Sequence, residues 1–493
     1  MINKSKDQNE YLTSALYERE LTTEVTGDFV LPDYQCEIRR ILHVDAKALP
    51  PAKYVNTSEV EFSGTVDFRV TYVGGDGELY CIPLSESYGF TVPIEADGVS
   101  DDVSVLCSIR TDGVNTRVSA PRKLGIRCRL RPCVRVMGGK SISTEIIGEQ
   151  DEGSIFRRME RATRLDCQSS LSEIVPLGCV MPPLSDDVRI VSADADAIVG
   201  SVAYTQSGVR CQGKVCIKLL CVSDDGQFST RLKEIPFETE NEISLRDAAV
   251  RAVATVCDVT VNVGDDGIEC SMGVVSEVVA FVNGETEYTA DAYSSKRECK
   301  CIYIPISARK MTVCGGGNAT LSERISVEGT PIPADAEIID ACGKAYMQTC
   351  EWQGAKYVFS GSVDVSIIWR RDGEFGSHEL HIPLKYEQSA TDGAEVACFD
   401  SSVTLDGLRC KLDGENLSVD AELFVSVDCM AESRVELVER LELGEGYAEA
   451  RSASLTVCYP EPEDTLWSIA KRYKVSPASV RGEVGSDRFV FVE

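Results

Sequence analysis

Three stretches of this chain repeat one alternation, and that repetition limits the fold more than any other feature. Residues 64–72 read GTVDFRVTY, followed by Asp76-Gly77 and then Ile82-Pro83-Leu84. Residues 213–221 read GKVCIKLLC, followed by Asp225-Gly226 and Ile235-Pro236-Phe237. Residues 361–369 read GSVDVSIIW, followed by Asp372-Gly373 and Ile382-Pro383-Leu384. The leading glycines, Gly64, Gly213 and Gly361, stand 149 and 148 residues apart. Val66, Phe68, Val70 and Tyr72 alternate with polar residues, and the matching apolar sets are Val215, Ile217, Leu219 and Cys221, and Val363, Val365, Ile367 and Trp369. A period of two puts one face of a strand in a core and the other in water. Asp-Gly is a hairpin turn signal, because Gly tolerates a positive φ. The proline in the returning segment cannot donate to a ladder, so it suits a strand end or a sheet edge.

Further strand-like segments surround each hairpin. Residues 41–46, 188–193 and 338–341 precede it. Residues 114–118 with 124–136, 257–263 with 268–282, and 403–405 with 417–429 follow it. The expected fold is mainly β: three tandem sandwich-like antiparallel β domains over 26–150, 165–310 and 311–450, and a small C-terminal βααβ domain over 453–493. Residues 1–25 read as a short helix and connector, and 151–165 (DEGSIFRRMERATRL) as a linking helix.

Composition narrows the function. The chain of 493 residues carries a net charge of −29 and a pI near 4.6, which repels nucleic acid. Its one basic cluster, Arg122 to Arg135, alternates with apolar residues and reads as a strand with a wet, basic face. The polar start has no secretory apolar core and no run is long enough to span a bilayer, so a cytoplasmic protein is expected. None of the 21 cysteines forms a C-x-x-C pair. In a reducing compartment they read as small buried hydrophobes, with delayed cross-linking under oxidising conditions as the minority alternative. Of three histidines, His378 and His381 fall at i and i+3 on a strand and point to opposite faces, which disfavours a metal site. Met137-Gly-Gly-Lys-Ser141 lacks the upstream glycine of a phosphate loop, since Val134 stands there. Acidic pairs such as Asp101-Asp102, Asp186-Asp187, Asp224-Asp225 and Asp265-Asp266 lack EF-hand spacing and read as solvated turns. No catalytic set, metal or cofactor is expected, and a non-enzymatic protein is.

The tail gives the most local information. An apolar run, Leu455 to Tyr459, precedes a Pro- and Glu-rich turn, and Asp464 stands where a helix N-cap belongs. Leu466, Ile469, Ala470 and Tyr473 form one apolar helix stripe, Ser476-Pro477 opens a second helix, and Phe489 to Val492 reads as a closing strand. Trp467 lies off the stripe and is expected to be partly exposed, as an anchor for a partner or a cover for the small core. Asp464-Thr465-Leu466-Trp467-Ser468-Ile469-Ala470 resembles the opening of a LysM domain. That resemblance implies a βααβ fold and a binding site, partner or glycan, including Asp464, Thr465, Leu466, Trp467 and Ile469. LysM modules usually bind N-acetylglucosamine polymers, yet Glu463 replaces the family's frequent Gly and the 482–488 loop has no Asn. Both loops that usually hold sugar are therefore altered, and each is acidic, at Glu463 and Glu483.

The repeats resemble the SPOCS domain of clostridial and bacillar spore-coat-associated proteins, through Leu31-Pro32-Asp33, the Gly64 hairpin and Asn115 to Leu124. The order of SPOCS-like repeats and one C-terminal LysM is similar to that of clostridial coat-morphogenesis proteins. The resemblance implies an adaptor or scaffold in spore coat assembly, docking through its tail to a coat-basement ATPase at the forespore surface in the mother cell. The alternative is an exported wall or cortex protein that binds peptidoglycan.

Overall fold

The computed structural model describes residues 11–94, 99–149, 153–185, 187–264, 266–390, 393–447, 455–482 and 489–492. Asp186 and Asp265 of the acidic pairs, and Glu483 with most of its loop, lie outside the described residues, as do the side chains of Asp101 and Asp102. The chain is mainly β, in several antiparallel sheets.

One pairing scheme recurs three times. In the first unit, β3 (Ile38–Ala48) and β4 (Ala52–Val55) line one side of β5 (Glu59–Gly74), and β6 (Leu79–Pro93) lines the other. A second layer places β1 (Tyr11–Glu20) and β2 (Thr23–Val30) on one side of β8 (Lys123–Ser141), and β7 (Val99–Ala120) on the other. A short β9 (Glu145–Ile147) follows. In the second unit, the layers are β12 (Val188–Tyr204), β13 (Val209–Ser223) and β14 (Phe228–Asn241), then β10 (Ile155–Leu171) and β11 (Val175–Met181) beside β16 (Gly267–Ser294), with β15 (Ala249–Gly264) opposite. In the third, the layers are β18 (Glu337–Trp352), β19 (Lys356–Arg371) and β20 (Glu374–Ser389), then β17 (Arg297–Ser326), β22 (Asn416–Gly446) and β21 (Cys398–Asp413). One bridging pair, Ala345 with Val403, joins those last two layers. β9 pairs in parallel with β22, tying the first unit's end to the third.

The repeated alternation does what its period demands. Val66, Phe68, Val70 and Tyr72 are buried against Leu124, Ile126, Cys128 and Leu130 of the facing layer. The second and third units bury Val215, Ile217, Leu219 and Cys221, and Val363, Val365 and Ile367, in the same way. Each core thus lies between two layers, with both contributing every second residue. The leading glycines have a steric cause. A Cβ on Gly213 would stand 2.0 Å from the Ile198 carbonyl oxygen, and one on Gly361 1.9 Å from that of Tyr346. In both places the neighbouring strand bulges, between Val199 and Ser201 and between Met347 and Thr349, and pushes its backbone inward. At the third hairpin Asp372 and Gly373 both have positive φ, 49° and 79°, as a two-residue primed turn requires. The prolines mark edges rather than ends: Pro83, Pro236 and Pro383 sit inside β6, β14 and β20, each the outer strand of its layer.

Two expectations are corrected. Residues 11–20, expected within a helix and connector, form β1, and residues 155–171 form β10, which takes up most of the linking helix expected over 151–165. Each segment is the edge partner of a long central strand, β8 or β16. The backbone hydrogen bonds of those ladders outweigh weak helix propensity. The basic run is the expected strand as far as Leu130: Leu124, Ile126, Cys128 and Leu130 point inward and Arg127 and Arg129 face water, but Arg135, expected on the same wet face, is buried.

The tail has β23 (Thr456–Cys458), α1 (Leu466–Tyr473), a 3-10 turn (Pro477–Ser479), β24 (Val480–Arg481) and β25 (Val490–Val492). The expected second helix is that single turn, capped by Ser476 with Pro477 at its start. Among the described residues, no helix is long and apolar enough to cross a membrane.

Candidate functional site

The tail was the sequence-predicted site, and its residues part company in the structure. Thr465, not Asp464, caps α1. Its hydroxyl accepts the Ser468 N–H at 3.1 Å, and the Ser468 hydroxyl accepts the Thr465 N–H at 2.9 Å, a reciprocal capping box. Asp464 is one residue too early for that role. Its carboxylate accepts the Glu461 N–H at 2.9 Å, the Ser468 hydroxyl at 3.1 Å and the Arg472 guanidinium at 2.6 Å. The Glu461 N–H, with Arg472 and Ser468, holds its pKa below the ordinary carboxylate range. Asp464 therefore buckles the entry turn to the last turn of α1 and has little capacity left for a ligand.

Ile469 is fully buried with Ala470, Val475, Val480, Val490 and Val492. Leu466, expected on the buried stripe, is 42% exposed. The helix has two packing faces, one toward its own small sheet and one toward the end of β16, and Leu466 belongs to neither. Trp467 serves the second face. Its indole N–H donates to Asp291 Oδ2 at 2.8 Å, and its ring meets Tyr293 edge-on at 5.0 Å. One turn on, Lys471 Nζ lies 2.6 and 2.9 Å from the two Asp291 oxygens, and the Tyr303 hydroxyl donates to Oδ1 at 2.8 Å. Burial raises the Asp291 pKa, but hydrogen bonds from Lys471, Trp467 and Tyr303 outweigh it and hold it low. The Tyr293 hydroxyl also donates to the Val475 carbonyl at 2.5 Å. Trp467 is thus an anchor, and what it anchors to is the chain's own second unit. No sequence signal near Trp467 points to Asp291, which is 176 residues away.

The opposite side of the tail is apolar and open. Val457 stands directly across from Phe491 on the outer face of the small sheet. Phe489 meets Phe491 at 5.2 Å and Tyr459 at 6.1 Å. Tyr459 is 75% exposed, and Leu455, Val457, Phe489 and Phe491 are also exposed. Sequence reasoning missed this patch, although alternation in Leu455–Tyr459 and Phe489–Val492 carries it.

A second feature has no counterpart in the sequence reading. A cavity of about 1630 Å³ lies between the three units, lined by the polar faces of β3, β12 and β18 and their neighbours. Ion pairs close a ring around it. Lys47 meets Asp196 at 2.9 Å and Arg69 meets Asp194 at 2.5 Å, joining the first unit to the second. Lys218 pairs with Asp340, and Lys214 meets Asp406 at 2.9 Å, joining the second to the third. Lys344 meets Asp45 at 2.8 Å and returns to the first. Burial raises the Asp45 pKa, but Lys344 and Arg69 overcome it and hold it well below the ordinary range. Cys216, Glu234 and Asp406 cluster closely enough for a metal ion, but Lys214 Nζ already pairs with both carboxylates, 2.8 Å from Glu234 and 2.9 Å from Asp406, and competes with a cation there. His381 pairs with Asp364 at 2.8 Å, which raises its pKa, and is exposed. The cavity is a seam of satisfied charges.

A denser charge cluster begins at Asp400 in the wall of this cavity. Asp428 of β22 is fully buried and stands opposite Asp400 of β21. Arg251 of the second unit meets Asp400 at 2.7 Å and Asp428 at 3.1 Å, and Arg135 of the first meets Asp428 at 3.8 Å. Among the described residues neither Asp428 oxygen accepts a well-directed hydrogen bond, and burial pushes its pKa up to about 6 against the pull of Arg251. Neither the scan of protein-family models nor the searches of curated proteins and of solved structures returns a match to this chain.

Proposed function

We propose that this chain is a non-enzymatic adaptor of the spore coat. Its three β units form the body, and its LysM-like tail recruits it to a coat-basement ATPase at the forespore surface. The observation that carries the reading is the two-sided tail. One side is fixed to the body through Trp467, Lys471 and Asp291, and the other presents Val457, Tyr459, Phe489 and Phe491 outward. An adaptor needs a rigid grip on its own body and an open surface for a partner. Exposed aromatics suit that surface, since they supply large contact area at low entropic cost. The SPOCS- and LysM-like motifs supply the cellular setting.

Exposed aromatics also stack on sugar rings, so a peptidoglycan-binding tail is the second reading. Two measurements on the full chain separate them. Tyr459→Ala with Phe489→Ala should abolish forespore recruitment and pull-down of the ATPase while circular dichroism stays unchanged. Sedimentation with peptidoglycan should show no saturable binding at physiological salt. Retained recruitment in the double variant overturns the adaptor site, and saturable sedimentation shifts the function to glycan.

A further inference from the structure

The third unit holds two thiols in contact across its core. Cys350 Sγ of β18 lies 3.4 Å from Cys429 Sγ of β22. The two strands belong to opposite layers of the unit, and among the described residues the one backbone pair between these layers is Ala345–Val403. In the register of the repeats the matching positions are Lys53 and Val136 in the first unit, and Val202 and Ala280 in the second. The thiol pair is therefore particular to one unit and is no by-product of the repeat.

We propose that Cys350 and Cys429 are a disulfide-forming pair that staples the two layers of the third unit when the chain meets an oxidising low-molecular-weight disulfide. Closing the sulfur pair to bonding distance needs a shift of only about 1.4 Å. The two thiols differ in access. Cys429 is fully buried, whereas Cys350 is half-buried near the end of β18. The hydrogen bond with Cys350, then burial, pushes the Cys429 thiol well above its ordinary range, so it is not the first to react.

The chemistry balances with oxidised glutathione as the oxidant. Cys350 loses its proton to solvent and attacks one glutathione sulfur. The glutathione S–S bond breaks, a mixed disulfide forms on Cys350, and one glutathione thiolate leaves and takes up a proton. Cys429 then attacks the Cys350 sulfur, its proton goes to the second departing glutathione thiolate, and the Cys350–Cys429 bond forms. Two protein thiols are oxidised and one glutathione disulfide is reduced to two thiols. The new bond closes a loop of some eighty residues, long enough for a strong restriction of the unfolded chain.

The test uses the full chain in its native state. It is incubated with oxidised glutathione, remaining thiols are blocked with an alkylating reagent, and the protein is digested without reductant for mass spectrometry. The Cys350–Cys429 linked peptide is expected, with thermal unfolding of the oxidised chain raised by several degrees. Cys350→Ala should lose both the linked peptide and the rise. The proposal is overturned if Cys350 stops at the glutathione adduct, if it links to another cysteine, or if both thiols are recovered alkylated. It is also overturned if the rise persists in Cys350→Ala. Should that variant fail to fold, the peptide map of the unsubstituted chain decides alone.

Discussion

Asp428 shows how much one position can depend on distant chain. It faces Asp400 across a strand pair, and the two share Arg251 and Arg135 from two other units. Two carboxylates this close cannot both ionise cheaply, even with two guanidiniums beside them. Asp400 takes the ordered bonds, from Arg251 and Ser108, and its pKa falls: burial raises it, but Arg251 and Arg135 pull harder. Asp428 has no such bonds and its pKa rises to about 6. A raised carboxylate pKa means the folded chain binds a proton that the unfolded chain releases at about 4. Its contribution is therefore full below about 4 and lost as pH rises through about 6. Groups held low, such as Asp45 and Asp464, act oppositely and lose their contribution in acid. Chemical denaturation across pH 4 to 7 should show stability falling as pH rises through about 6, and Asp428→Asn should flatten that slope. An unchanged slope in the variant would remove Asp428 as its source.

At the scale of the element, α1 separates what an apolar stripe predicts from what packing uses. The i, i+3, i+4, i+7 stripe correctly picks Ile469 and Ala470, which are fully buried, but it also picks Leu466, which is exposed. Ile469→Ala should cost about 2–5 kcal/mol and melt the tail, because it opens a cavity in a core of very few residues. Leu466→Ala should change stability by no more than about 0.5 kcal/mol. Proton NMR of the tail's buried methyl groups, or limited proteolysis of the full chain, distinguishes the two. Equal loss in both variants would show that Leu466 packs after all. The N-cap falls one residue from its expected place for a related reason. Asp464 and Thr465 are both good caps, and the choice goes to Thr465 because Arg472, eight residues on in the last turn of α1, holds Asp464 in another role.

At the scale of the whole molecule, the three units interlock cyclically. Arg40 of the first donates to the Phe375 carbonyl of the third, Arg189 of the second to that of Leu79 in the first at 3.0 Å, and Arg370 of the third to that of Gly226 in the second at 2.6 Å. Three apolar clusters draw on all three units. One joins Leu79, Val191 and Phe375, another Leu12, Tyr288 and Leu437, and the third Leu106, Leu165 and Met430. The ring of ion pairs lies on the polar strand faces, and Asp45 is its hub, bound to Lys344 at 2.8 Å and to Arg69 at 2.8 Å. Asp45→Asn leaves two cations facing each other. We expect a loss of about 2–3 kcal/mol, below the fully buried case because Lys344 is well exposed. Hydrogen exchange should rise first in β3 and β18, where the units meet. Protection unchanged in both strands would show that the ring does not couple the units.

The sequence by itself determined the strands and which side of each is inward. A period of two has one solution on a pleated surface, and the Asp-Gly turns fix where each hairpin reverses. It also determined the wet face of the basic strand and the small capped helix of the tail. It did not determine β1 or β10, because edge strands take their hydrogen bonds from partners more than a hundred residues away. Only the tertiary structure decided what the polar faces do. Nothing in the local pattern marks Asp45, Asp194 and Lys344 as partners, and only the packing of three units brings them together. Arg135 continues the alternation of a basic strand, yet it is buried beside Asp428. Trp467 reads as a partner's anchor until Asp291 is found beside it. The reason is common to all three. Local pattern specifies which residues share a face, but a charged face is a surface or a seam according to what lies across it, and that is set by contacts the chain makes over its whole length.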